Sequence, residues 1–135
     1  MKTRLSTQDV FNLSKSFHDL SSALGEFRYS NWDSLTPAQR NDLESKQWTL
    51  FNTSSDLNAK SVVLKVKLLD DEIQKIKNCI SDMQATAKKI TDVKHAVAIA
   101  AKAVAFGGTI YLAASTGNAA VMIAAATSLI QELNT

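Results

Sequence analysis

The chain has 135 residues, 45% of them hydrophobic and 21% charged, with a formal net charge of +2. Such a length holds one buried core, the composition is that of an ordinary globular chain, and the near-balanced charge gives no strong overall pull towards nucleic acid or anionic lipid. One proline and four glycines enforce few turns, which favours long helices over a many-stranded architecture, and the lone Cys79 excludes an intrachain disulfide.

The opening MKTRLSTQDVF has no apolar core of a secretory leader. A cytoplasmic location is expected, with signal-independent export or membrane association as the alternatives. Ser6 followed by Asp9 marks a helix start, because a hydroxyl and a carboxylate can satisfy the first free backbone N–H groups. Val10, Leu13, Phe17, Leu20, Leu24 and Phe27 then recur at spacings of three and four, one apolar stripe of an amphipathic helix.

Residues 28–35, RYSNWDSL, read as an ordered loop. Thr36-Pro37-Ala38-Gln39 is the next helix start, with threonine as cap, proline at the first helical position and glutamine reaching back. Leu35 is placed to staple that start. From Ala38 to Phe106 there is neither proline nor glycine. Leu43, Leu50, Leu57 and Leu64 repeat every seven residues. A second seam, one residue out of phase, runs Ala59, Val62, Val66, Leu69, Ile73, Ile76, Ile80, Met83, Ala87 and Ile90, and resumes at Val97, Ala101 and Val104.

This pattern predicts a long central heptad-patterned helix, as in a coiled coil. Unbroken, it would extend about 100 Å, far beyond the radius of gyration of about 14 Å for a compact domain of this size. A break is therefore expected, either near Asn52–Asp56 or at Leu69–Asp70, where basic residues precede three acids suited to a helix N-terminus. Gly107-Gly108 is expected to end or bend the next element, Ser115-Thr116-Gly117-Asn118 to form a turn, and Ala119–Leu133 to form the last helix.

No catalytic signature is present. His18 and His95 stand alone, without the chelating His, Cys or carboxylate spacing of a zinc site, so they read as surface or rim histidines. Asp70, Asp71 and Glu72 are consecutive on a helix and diverge by about 100° each, so they cannot converge on one cation. Gly107-Gly108-Thr109 lacks the lysine and spacing of a phosphate loop, and no serine sits in a nucleophile elbow. No enzyme activity, cofactor or metal is expected. Cys79 reads as a small buried thiol.

Charge is distributed unevenly. Residues 60–102 carry nine lysines against five acids, whereas residues 103–135 carry one charge, Glu132. The lysines mostly alternate with acids around a helix. That mixture reads as a solvated face, and nucleic-acid binding stands as a minor alternative, for which Arg28, Tyr29 and Trp32 offer a cation beside stacking surface. Trp32 and Trp48 are expected to plug the ends of a bundle.

Ala103–Ile130 contains no charged residue. Its alanines suit close helix–helix approach, with larger side chains filling a core. The alternative is insertion of a helical hairpin into a membrane, where small residues also favour helix association. Each arm between Gly108 and Leu133 is shorter than the roughly 17–20 apolar residues of a full span. Over roughly residues 59–133 the layout resembles the small-residue hairpins that α-helical pore-forming toxins hold against a helical bundle, a resemblance that implies membrane insertion.

The sequence therefore points to one all-α domain spanning 1–135, an elongated three- or four-helix bundle with an Ala-rich C-terminal hairpin. The expected activity is non-catalytic association with another protein or with itself. The candidate contact residues are Arg28, Tyr29 and Trp32 in the loop, with Val104, Phe106, Ile110, Leu112, Val121, Met122, Ile123 and Ile130 in the uncharged tail.

Overall fold

A computed structural model describes residues 2–60, 65–90 and 92–135, with backbone alone for 59 and 60. These residues form an all-α fold of five helices with one small ribbon. In chain order they are β1 (Lys2–Arg4), α1 (Thr7–Ser30), a 3-10 turn (Trp32–Ser34), α2 (Pro37–Lys60), β2 (Lys67–Leu69), α3 (Asp70–Thr86), α4 (Val93–Thr116) and α5 (Ala120–Leu133).

Both expected capping boxes form. Ser6 Oγ accepts the Asp9 N–H at 3.0 Å while Asp9 Oδ2 accepts the Ser6 N–H at 3.4 Å. Thr36 Oγ1 accepts the Gln39 N–H at 3.1 Å and Gln39 Oε1 accepts the Thr36 N–H at 2.9 Å. Each pair satisfies donors that a helix start leaves open. The apolar stripe of α1 is buried from Val10 to Phe27, and Leu43, Leu50 and Leu57 of α2 are fully covered. Each such side chain contributes roughly 1.5–3 kcal/mol on burial.

Side-chain to backbone bonds set the helix directions. Ser14 donates to the Ser54 carbonyl at 2.8 Å, Ser21 to that of Gln47 at 2.9 Å, and Arg28 to that of Arg40 at 3.0 Å. The shrinking sequence separation makes α1 and α2 antiparallel. Gly107 lies against Thr53 and the Tyr111 hydroxyl donates to Asp56 at 2.8 Å, so α2 and α4 run the same way. His95 Nε2 meets the Glu132 carbonyl at 3.0 Å and Lys102 donates to Ser128 at 2.6 Å, which folds α5 back along α4. Thr86 donates to the Leu133 carbonyl at 3.3 Å, and Lys75 and Asn78 share a cleft with Thr127, so α3 runs with α5. One end of the molecule thus gathers the starts of α1, α3 and α5, the last turns of α2 and α4, and the ribbon.

The long central helix is replaced by three shorter ones. α2 passes unbroken through Asn52–Asp56, and a new helix starts at Asp70, the second expected break. Between them Val66 and Leu68 are buried while Lys65, Lys67 and Leu69 are exposed, the two-residue alternation of a strand rather than the helical seam read there. The seam residues Val62, Leu64 and the Ala59 side chain lie outside the described residues. Ile76, Ile80 and Met83 keep their place in the core of α3, but the seam fails in α4. Ala101 faces outward and Val97 and Val104 are half-buried, while Ala96, Ile99, Ala100, Ala103, Phe106, Ile110 and Ala113 form the inner face.

The second correction concerns Gly107-Gly108, which does not end the helix, since α4 continues to Thr116. Gly107 serves close approach: a Cβ there would stand 3.2 Å from both Thr53 Cγ2 and Oγ1. Gly117 is the turn residue, with φ 75° and its N–H bonded to the Ala113 carbonyl. Left-handed backbone at this position suits glycine.

Candidate functional site

The loop after α1 is a cation–π clamp. The Trp32 ring has the Arg28 guanidinium 5.0 Å and the Arg40 guanidinium 4.4 Å from its centroid. Arg40 also donates from Nε and Nη2 to the Trp32 carbonyl at 2.9 and 2.6 Å, and Arg28 pairs with Glu44 at 2.8 Å. These bonds close the α1–α2 connection and occupy Nε and Nη2 of both arginines. Tyr29 is 85% exposed and Trp32 43%, so the free surface here is the Tyr29 ring and part of the indole. Two cation contacts on one solvent-facing indole are worth roughly 0.5–1 kcal/mol each.

The uncharged tail separates into an inner and an outer face. Phe106, Ile110 and Met122 lie in the core, where Phe106 stacks on Phe17 with centroids 5.7 Å apart. In this conformation these three are closed to a partner. Val104, Ile123 and Ile130 are half-buried at its edge, whereas Leu112 and Val121, 48% and 50% exposed, face solvent on either side of the Gly117 turn. Helical spacing puts Ala101, Ala105, Gly108 and Leu112 on one ridge of α4, all exposed. On α5, Ala120, Val121 and Ala124 are exposed.

Against known proteins, the chain matches no family model, no curated protein and no solved structure.

The polar groups are engaged one by one rather than converging. Asp92 caps α4 by accepting the His95 N–H at 3.2 Å, and His95 spends its ring on the end of α5. His18 lies on the exposed side of α1, 3.9 Å from Asp19. Glu72 accepts the Leu69 N–H at 2.7 Å and so serves the start of α3. Among the described residues, no group of three His, Cys, Asp or Glu is placed to hold a metal ion. Burial, reinforced by the Asp82 carboxylate, pushes the Cys79 thiol up to about 12, which keeps it protonated and unreactive.

Two of the clefts between helices are lined by α4. One of about 760 Å³ separates Ala38, Gln39 and Asp42 of α2 from Val93 and Val97 of α4. Another of about 710 Å³, lined by Asp82, Lys89, Lys94, His95 and Glu132, mixes both signs of charge and opens to solvent. Neither brings a nucleophile next to a base.

Two surface features escaped the sequence reading. Trp48, expected to plug an end, is 57% exposed on the flank of α2, edge-on to Phe51 at 5.8 Å, with His18 of α1 6.2 Å from Phe51. The signal was available, because Trp48 falls outside the Leu43–Leu50–Leu57 seam. The ribbon was hidden by reading its alternating Lys-Val-Lys-Leu as part of a helix.

Proposed function

We propose that this protein acts without catalysis, as a single helical domain that associates through its helical surfaces in the cytoplasm, serving assembly, regulation or neutralisation of a partner. Three helices of 24 residues, about 36 Å each at 1.5 Å per residue, support the reading of an elongated bundle with a long flank to present. The observation that carries the reading is the outer ridge of α4, Ala101, Ala105, Gly108 and Leu112, exposed and without charge, with Ala120, Val121 and Ala124 exposed on α5 and Lys102, bonded to Ser128, between the two helices. Small side chains let another backbone approach closely, and the absence of charge removes any repulsion between two identical faces. A second copy of the chain is the partner this surface fits, in a two-fold arrangement.

Sedimentation velocity over a wide concentration range tests it. The expected result is concentration-dependent association that Leu112→Asp with Val121→Asp abolishes while the urea midpoint stays unchanged. A wild-type chain that sediments as a monomer throughout overturns self-association.

One observation favours a second reading, membrane insertion of the hairpin. Among the described residues α4 is the single helix long and apolar enough to cross a bilayer, and under half of its most apolar window is buried. Against it, insertion would strip Phe106 from Phe17 and expose Asp56, the partner of Tyr111. Flotation with vesicles that carries α4 into a protease-protected state would support insertion.

A further inference from the structure

We infer that the ribbon end of the molecule docks on the surface of an anionic phospholipid bilayer, with Arg4 and Lys67 meeting lipid phosphates and the uncharged hairpin tip resting among the headgroups. This surface is separate from the α4–α5 ridge except at the tip, and it requires no unpacking of the helices.

The β-register sets Arg4 directly opposite Lys67 and Lys2 opposite Leu69. Like charges facing each other across a strand pair destabilise it, so the arrangement is explained by an anion between them. Lys65, two residues before Lys67, is exposed as well. None of these four cations has an ion pair among the described residues. The neighbouring positions outside those residues, Met1 and 61–64, carry no acid either. The acids at this end among the described residues are Asp9, which caps the start of α1 five residues after Arg4, Asp56 near the end of α2, which accepts the Tyr111 hydroxyl, and Asp70, Asp71 and Glu72, which begin α3 beside Leu69 at the Lys2 edge of the ribbon.

A phosphate surface of lipid fits better than one of nucleic acid. The same end of the molecule carries exposed apolar side chains, Leu69, Leu112 and Val121, and the stretch between the last two has no charge. Apolar groups beside cations match a headgroup layer, where both terms add. The exposed Tyr29 and Trp32, suited to base stacking, lie at the opposite end.

Flotation of the full chain with vesicles of phosphatidylcholine, or of phosphatidylcholine mixed with phosphatidylserine, tests the proposal. Binding is expected only to the anionic vesicles, and it should fall as salt is raised. Each ribbon cation removed costs about fivefold in affinity, so Arg4→Gln with Lys67→Gln weakens binding about 25-fold. Leu112→Ser with Val121→Ser also weakens it, and Lys88→Gln with Lys89→Gln, at the far end, leaves it intact. Circular dichroism confirms that each variant is folded. Absent binding, equal binding to neutral vesicles, equal loss in the Lys88/Lys89 variant, or tighter binding of single-stranded DNA than of vesicles through Arg4 and Lys67 each overturns it. Sedimentation without lipid reads self-association separately, so failure here is distinct from failure of the assembly reading.

Discussion

Gly107 and Gly108 are neighbours in α4 with opposite surroundings. A Cβ at 108 meets nothing within 4 Å, whereas one at 107 meets Thr53 at 3.2 Å. Replacing a mid-helix glycine by alanine gains roughly 0.5–1 kcal/mol when space allows. Gly108→Ala should therefore raise stability by about that amount in urea unfolding. Gly107→Ala should fall short of it by about 1 kcal/mol, and Thr53→Ala in the same chain should restore the missing gain. Equal gains at the two glycines would contradict the close packing of α2 on α4. Cys79 gives a chemical check on the core: its thiol should resist iodoacetamide in the folded chain at mildly alkaline pH and react only as the protein unfolds. Rapid labelling of the native state would place it at the surface instead.

Tyr111 carries a pH prediction at the same scale. Loss of hydration, then the hydrogen bond and charge of Asp56, push its phenol up to about 12. Its pKa is near 10 in an unfolded chain. A group whose folded pKa is raised supports the fold fully below the unfolded value and loses that support as pH climbs from about 10 towards 12. The ultraviolet titration of wild type minus Tyr111→Phe should show this phenol ionising well above pH 10. Ionisation at the ordinary value would mean that the Asp56 contact does not form in solution.

At the scale of elements, the termini were legible because caps are local chemistry. Ser6, Thr36 and Gly117 announce their roles within three or four residues, whereas the Asp92 cap was hidden by a seam read straight through it from Ile90 to Val97. Asp92→Ala should cost about 1 kcal/mol, read by urea unfolding, because it frees the His95 N–H at the start of α4. No change would show that the Asp92 cap is dispensable. The faces were legible in α1 and α2, where large leucines and phenylalanines recur without competition. They were not legible in α4, where alanine is so frequent that several helical faces look equally apolar. There only the partners decide: Phe106 is drawn in by Phe17, and the surface next to Thr53 requires a glycine. The stretch from Val66 to Leu69 misled for another reason. Spacings of three and four can be threaded through an alternating strand when neighbouring helices supply the rest of the pattern.

At the scale of the whole molecule, the same argument explains which candidate residues survive as surface. The sequence marks the tail as uncharged but cannot divide it, since every apolar side chain there is a candidate for core or contact. Packing on α1, α2 and α3 makes the division. It takes Phe106, Ile110 and Met122 inward and leaves Leu112 and Val121 outside. The ribbon end became visible only once non-adjacent segments, residues 2–4 and 67–69, were seen paired. Both the assembly reading and the lipid-docking inference depend on one physical condition: in water, the chain's own helices keep the inner face of its uncharged stretch dry.

Amide hydrogen exchange of the free chain, read by mass spectrometry at peptide resolution, tests that condition most directly. Peptides covering 96–113 and 122–133 should exchange as slowly as the core of α1, with the fast amides confined to the Gly117 turn and the chain ends. Rapid exchange across α4 and α5 beside a protected α1–α2 pair would show the tail open in solution and contradict the account.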